Sequence, residues 1–348
     1  AKPGSGLANI GTSASYDTLC NMPLTQTDGR GAVTTYVLLP NRCLIQSMTQ
    51  PAVDDGTTSV QTPIAPVTNY TWNSFGQLLT RLDPTGREVR NAYNPSTNYL
   101  QTVTVENGAS DLVTTFGRNA AGDITSVTDP RGFAHSGTYD NSRRLTRYDG
   151  PAGTGVASEW RYNIDGLVDR VRQATGQAAP NDWSTTTYAY LLTGRVSRMT
   201  DPDGGVMQYS YDALNRPDCT AVRMNPAVYG SLPASACTLS TQGPNGPDRI
   251  TRTEYDAEGH VLRERRAFGT PLAQVYATRA WTPNGLLDTV MDANNNMSNM
   301  EYDGFDRLRQ LFFPSTTLGA QTASTTDFEE YGYDPNDNIT SRRLRSGE

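Results

Sequence analysis

One interval constrains this chain more than any single motif. Trp72 to Tyr93, Arg118 to Tyr139, Tyr190 to Tyr211 and Trp281 to Tyr302 are each separated by 21 residues. Inside each interval an Asp falls 11 residues after the first position and opens a turn: DPTG from Asp83 to Gly86, DPRG from Asp129 to Gly132, DPDG from Asp201 to Gly204, and a worn DANN at Asp292. A fixed period of this size marks a solenoid, propeller or array, in which each unit completes its core on its neighbours.

The residues that open three of the four intervals are aromatic anchors, and the copy at Arg118 keeps only an outer aromatic, Phe116. Tyr211-Asp212, in the stretch YSYDALNRPD, is echoed by Tyr16-Asp17, Tyr139-Asp140, Tyr255-Asp256, Tyr302-Asp303 and Tyr333-Asp334. Looser copies sit at Trp72, Tyr93, Tyr162, Tyr190 and Trp281, with Tyr36 as a weaker candidate, giving about thirteen copies between residues 16 and 333. Gly or Asn four residues after most anchors supplies the backbone angles of a tight turn, and Asp-Pro-x-Gly does the same at the opposite end. The runs between turns are short and rich in Val, Thr, Leu, Tyr and Arg, which favours strands over helices. The expected fold class is therefore all-β, an antiparallel β-hairpin repeat array that elongates or curls, with its anchors stacked in cross-strand ladders.

Composition narrows the function classes. Hydrophobic residues make up 36% of the 348-residue chain, which suits sheets wetted over large areas. A net charge of -7 gives no support for nucleic-acid binding, and Lys2 is the only lysine, so no Walker-type loop or Schiff-base lysine can form in the body of the chain. No apolar run approaches a membrane span. The beginning and end of the sequence read as those of a processed or partial segment of a longer chain.

The four cysteines form two local pairs without zinc spacing. Cys20 and Cys43 fit a bridge between adjacent hairpins, while Cys219 and Cys237 bracket an insertion that stretches the Tyr211 to Tyr255 interval to 44 residues. Disulfides would place the chain in an oxidising compartment, and reduced buried thiols are the alternative. The organisation expected is an extension over 1–15, then the array over 16–348, interrupted by a surface loop at 50–68, a loose connection at 174–183 and an insertion at 219–248.

Chemical motifs are sparse. The two histidines, His135 and His260, are distant in sequence, and the carboxylates mostly occupy recurring turn slots where an Asp can bond the backbone two residues on. The stretch from Asp292 lacks the Gly and closing Glu of a calcium loop. Arg144, Arg195, Arg216 and Arg307 recur five residues after their anchors and are expected to form ion pairs between repeats. No catalytic, cofactor or metal residue is assigned, and the chain is read as non-enzymatic.

The YDxxGR frame, as in YDALNRP, YDGFDRL and YDAEGHV, with its 21-residue spacing and DPxG partner turns, resembles the YD repeats of RHS-repeat proteins over about residues 16 to 340. These include bacterial polymorphic toxins, cocoon-forming components of insecticidal toxin complexes, and teneurins. The resemblance implies a sheet that spirals into a hollow shell, which in the toxin relatives encloses a C-terminal toxic polypeptide. Nothing in 335–348 matches the family's aspartyl self-cleavage motif, so no catalytic residue is carried over. The function expected is a structural shell or scaffold segment of a large bacterial secreted or surface protein. Its partners would be the rest of a longer chain or further copies joined through sheet edges, and an enclosed toxin. The alternatives are an adhesin or glycan-binding module, or a subunit of an extracellular assembly.

Overall fold

The computed structural model describes residues 11–52, 64–174 and 183–345. They contribute 26 β-strands assigned to one sheet, and every ladder described is antiparallel between strands consecutive in the chain. The all-β hairpin array expected from the repeat is thus present. No helix among the described residues is long and apolar enough to cross a membrane.

The residues divide into two compact units, chiefly 11–159 in one and 160–173 with 183–345 in the other. In the first, Val67–Trp72, Leu78–Leu82 and Glu88–Tyr93 are typical: Thr71 faces Thr80 across one hairpin and Thr80 faces Arg90 across the next. In the second, Val196–Thr200, Val206–Tyr211 and Pro217–Arg223 repeat the scheme. Of the expected extension, Ser13–Tyr16 is a strand paired with Pro23–Thr27, while 1–10 lies outside the described residues. Of the 50–68 loop, residues 53–63 lie outside them, as do 175–182 of the loose connection, and Val67 already belongs to a strand.

The two turn motifs prove to be one structure. After Tyr211, Asn215 N–H donates to Asp212 C=O and Asp212 N–H to Arg216 C=O, each at 2.9 Å, with Asn215 at φ 63. At the opposite end Gly204 N–H donates to Asp201 C=O at 3.1 Å and Asp201 N–H to Gly205 C=O at 2.9 Å, with Gly204 at φ 82. In both, the Asp Oδ1 accepts the amides two and four residues on: Leu214 and Arg216 for Asp212, Asp203 and Gly205 for Asp201. This is the three-residue hairpin loop closed by a left-handed residue; on the anchor side alone a bulge follows it, Tyr211 facing Pro217 and Ser210 facing Cys219, while the ladder at the Asp201 turn keeps its register.

Few side chains are buried. Among the described residues, only Val206, Cys219, Ala221, Ala236, Ile250, Ala277, Thr68, Arg223, Asn225 and Asp248 are, and most of these surround the insertion. Elsewhere some strands are half-buried on both faces, as in Leu145–Asp149 and Val196–Thr200, and others have one face exposed, as in Val33–Leu38 and Ala134–Tyr139. The array is a single layer held chiefly by backbone pairing.

The turn carboxylates make that pairing pH-sensitive. Asp140 and Asp212 are held below the usual carboxylate range, first by the Arg144 and Arg216 amides; Asp83 by the Thr85 hydroxyl, Asp129 by the Arg131 guanidinium and Asp292 by the Asn296 carboxamide. A carboxylate with a depressed folded pKa adds stability that is complete above the unfolded value of about 3.9 and is lost as pH falls through the folded value. Urea unfolding is expected to give constant stability from about pH 7 to 5 and a progressive fall below about 4. Unchanged or rising stability in acid would contradict this role for the turns.

Candidate functional site: the anchored rim and the clasped insertion

Each anchor has a polar tip, and the structure puts that tip to one repeated use. Trp72 Nε1–H donates to Ile45 C=O at 2.8 Å, and the hydroxyls of Tyr93, Tyr139, Tyr211, Tyr302 and Tyr333 donate to the carbonyls of Leu78, Ile124, Val196, Leu287 and Leu308 at 2.8 to 3.0 Å. Tyr190, Tyr255 and Trp281 do the same to Val168, Pro217 and Val261 at 2.5, 2.9 and 3.1 Å. The acceptor is always the first strand residue after the preceding anchor-side turn. There the ladder has ended: between Leu78–Leu82 and Glu88–Tyr93, pairing stops at Thr80↔Arg90. The carbonyl of Leu78 has no backbone partner on that side, and the Tyr93 hydroxyl, with the Asn91 carboxamide beside it at 3.1 Å, takes the place of the absent amide.

The other predicted anchors are placed differently. Tyr162 closes the strand Ala157–Tyr162 ahead of the next turn, and Tyr16 is 52% exposed at the end of the first strand. Tyr36 is not an anchor: the register shift falls at Val37/Leu38, so Leu38 holds the slot, and the Tyr36 hydroxyl donates to Gln26 Oε1. Among the named turns, Asp83, Asp129 and Asp201 bond the amides that follow them, while Gly86, Gly132 and Gly204 adopt φ of 86, 85 and 82.

Successive anchor-side turns are tied together. In the first unit Arg42 donates to Asn73 C=O and Ser74 C=O, Gln77 to Asn98 C=O, and Arg143 to Asp123. In the second, Arg216 donates to Asp256 C=O, Asn284 to Asp306 and Arg307 to Asp334 C=O. The expected ion pairing between repeats is present at Arg307, which pairs with Asp337 of the next anchor-side turn at 2.9 Å, but the recurrent arginines also pair within their own turns. Arg144, Arg216 and Arg307 pair with Asp140, Asp212 and Asp303 of their own turns at 2.7 Å. A guanidinium one turn long reaches its own Asp first, and at Arg216 and Arg307 its outer N–H groups remain for the next turn's backbone. Arg195 has Leu191 in the Asp slot and lies 5.9 Å from the Tyr211 ring centre.

The histidines take part in this local bonding. His260 Nδ1 lies 3.0 Å from Asp256 Oδ2 and its ring stacks on Trp281 at 4.8 Å, while His135 Nδ1 is 2.6 Å from the Tyr148 hydroxyl. Asp292 accepts the Asn294 and Asn296 amides, as a turn does.

Among the described residues, the insertion is the one place with a core of buried apolar side chains. Both disulfides are formed: Cys20–Cys43 joins two anchor-side turns, and Cys219–Cys237 ties the insertion to a strand. The excursion starts at Met224 rather than Cys219, because Cys219, Ala221 and Arg223 alternate inward along Pro217–Arg223. Arg223, 1% exposed, is the keystone. Its guanidinium pairs with Asp248 at 2.7 Å and donates to Gln208 Oε1, Thr238 C=O and Ser235 C=O. Asp248 in turn accepts the Met224 and Ser240 amides. Burial raises the Asp248 pKa, but those amides and Arg223 outweigh it and hold the carboxyl below its usual range. Sequence reading missed Arg223, Gln208 and Asp248; the inward alternation of Cys219 and Ala221 was the available signal. Asp218, Cys219 and Cys237 cluster closely, but the two sulfurs are bonded to each other and present no thiolate to a metal.

With this geometry in place, comparison with known proteins shows what the chain resembles. The family profile described as RHS Repeat matches residues 190–224, which hold the Tyr190 and Tyr211 anchors and the DPDG turn. The chain thus carries an RHS repeat at residues 190–224 and is similar to RHS/YD-repeat proteins. It is similar to Double-stranded DNA deaminase toxin A of Burkholderia cenocepacia (strain H111), with 25% identity over 260 residues, covering 68% of this chain and 16% of that protein. Among solved structures it is similar to TcdB2-TccC3 without its hypervariable C-terminal region, at 14% identity and TM-score 0.45, covering 95% of this chain and 18% of that one. The TcdB2-TccC3-Cdc42 structure matches at 14% identity and TM-score 0.37, over 95% of this chain and 21% of that one. The chain thus spans about a fifth or less of these proteins' lengths.

Two substitution series test the bonding. Tyr302→Phe removes only the hydroxyl and is expected to cost about 1 kcal/mol in urea unfolding, against about 2–3 kcal/mol for Tyr302→Ala at this half-buried ring; a Tyr302→Phe variant as stable as the wild type would show that the carbonyl cap contributes nothing. Asp248→Ala strands the buried Arg223 charge and is expected to cost about 3–5 kcal/mol, more than Asp248→Ala combined with Arg223→Leu. A double variant no more stable than the single one would contradict the keystone assignment.

Proposed function

We propose that this chain is a non-enzymatic wall segment of a larger bacterial RHS-repeat protein, secreted or held at the cell surface, whose completed shell encloses a toxic C-terminal polypeptide. The single-layer construction carries the reading. Outside the insertion both faces of the sheet stay half exposed, so the array separates two spaces instead of enclosing a core of its own. Continuous backbone pairing, with turns tied to their neighbours at one margin, suits a wall that must not part. The two disulfides suit an oxidising compartment. The array is proposed to cover 16–348, with the insertion as a local thickening. The mechanism is enclosure, and the partners are the rest of the wall, joined through sheet edges, and the enclosed polypeptide.

The test is protease protection in the full-length parent protein. The C-terminal polypeptide is expected to survive trypsin in the wild type and to be digested at least tenfold faster when Tyr211→Ala and Tyr302→Ala weaken the wall. Digestion at the same rate as the isolated polypeptide in the wild type would overturn enclosure.

A further inference from the structure

The joint between the first two hairpins departs from the scheme that ties the later ones. Leu38 holds the anchor slot there, facing Ile45 across the register shift, and a leucine has no hydrogen to donate. The carbonyl it would cap is that of Pro23, which faces Tyr16 and is the first strand residue after the Asp17 turn. As at Leu78, the ladder has already ended at this point: pairing between Pro23–Thr27 and Val33–Leu38 stops at Thr25↔Thr35. The first hairpin is thus held to the second by the short ladder Thr25↔Thr35, Gln26↔Thr34 and Thr27↔Val33, and by the Tyr36 hydroxyl on Gln26 Oε1 at 2.7 Å. Its outer strand, Ser13–Tyr16, is exposed at every position.

At this joint the tie between turns is covalent. Cys20 belongs to the Asp17 turn, its amide donating to Asp17 Oδ1 at 2.8 Å, and Cys43 belongs to the next anchor-side turn, 39–44. The following turns are joined by hydrogen bonds alone, Arg42 to the Asn73 and Ser74 carbonyls and Gln77 to that of Asn98. The two disulfides also differ in access. Cys43 is exposed, whereas Cys219 is 2% exposed in the core of the insertion. Cys237 Sγ lies 3.2 Å from Asp218 Oδ2, a carboxylate whose charge opposes an approaching thiolate.

We propose that Cys20–Cys43 is a redox latch that replaces the missing anchor bond, and that a dithiol reductant opens it while Cys219–Cys237 stays closed. One thiolate of the reductant attacks Cys43 Sγ, and Cys20 leaves as a thiolate and takes up a proton. The second thiolate then displaces Cys43, which is protonated in turn, so the protein disulfide gains two electrons and two protons and the dithiol becomes a disulfide. A two-stranded hairpin is not stable alone in water, so residues 13–27 lose their order and the edge of Val33–Leu38 is laid bare for pairing. The array is closed at this end in an oxidising compartment and frayed in a reducing one. The inference does not rest on the wall reading, since it concerns the joint between two hairpins whatever they enclose.

Alkylation and hydrogen exchange, both read by mass spectrometry on the 348-residue chain, test the latch with dithiothreitol as the dithiol. Mild reduction is expected to expose Cys20 and Cys43 to iodoacetamide before Cys219 and Cys237. Peptides within 13–38 are then expected to exchange about tenfold faster or more, while those within 183–345 keep their rates. Cys20→Ser combined with Cys43→Ser is expected to show the fast exchange without reductant. Leu38→Tyr returns a hydroxyl to the slot and is expected to recover most of the lost protection in the reduced chain. The wild-type reduction needs no variant and decides the matter alone should either variant fail to fold. Exchange within 13–38 unchanged by reduction, Cys219–Cys237 opening first or together with Cys20–Cys43, or no recovery in folded Leu38→Tyr would each overturn the proposal.

Discussion

A sheet one layer thick must satisfy its own backbone, because it has no interior to hide an unpaired carbonyl and little apolar burial to offset one. In this chain the need is sharpest where neighbouring hairpins stop pairing, just inside each anchor-side turn. The hydrogen bond from an anchor tip to the carbonyl of the preceding hairpin meets it, from Trp72 on Ile45 to Tyr333 on Leu308. The same ring packs on the sheet and closes its ladder, which is why an aromatic residue with a donor suits the slot better than Phe.

The turns follow a parallel logic. An Asp or Asn that accepts two amides ahead fixes the loop without help from packing, so a turn survives even where its sides are wet. Asp140, Asp212 and Asp303 also hold an arginine, and Arg216 and Arg307 carry the bond to the following turn. Local bonds of about 1 kcal/mol, repeated at every hairpin, replace the large core term of a globular domain.

The insertion and the bulge are where the chain leaves this economy of repetition. Arg223 and Asp248 are buried together because the excursion folds back over Val206, Ala221 and Ile250, and the Arg223 guanidinium finds acceptors in Asp248, Gln208, Ser235 and Thr238. The bulge in Ala323–Tyr333 takes residues 324–327 out of the ladder instead. The first irregularity thickens the sheet and the second interrupts its pairing.

The 21-residue interval, the Asp-headed turns and the short β-branched runs determined the hairpin array, because each is a local property of backbone and turn chemistry that repeats in register along the sequence. The two cysteine pairs were legible for the same reason, each closing a short stretch. The identity of YDxxG and DPxG as one turn, the target of each anchor hydroxyl, and the choice by Arg144, Arg216 and Arg307 of their own turns' acids were decided only by the tertiary structure. So were Leu38 in place of Tyr36 and the strand running through Cys219 to Arg223. All of these depend on register, and a one-residue shift between strands changes every partner while leaving the sequence pattern unaltered.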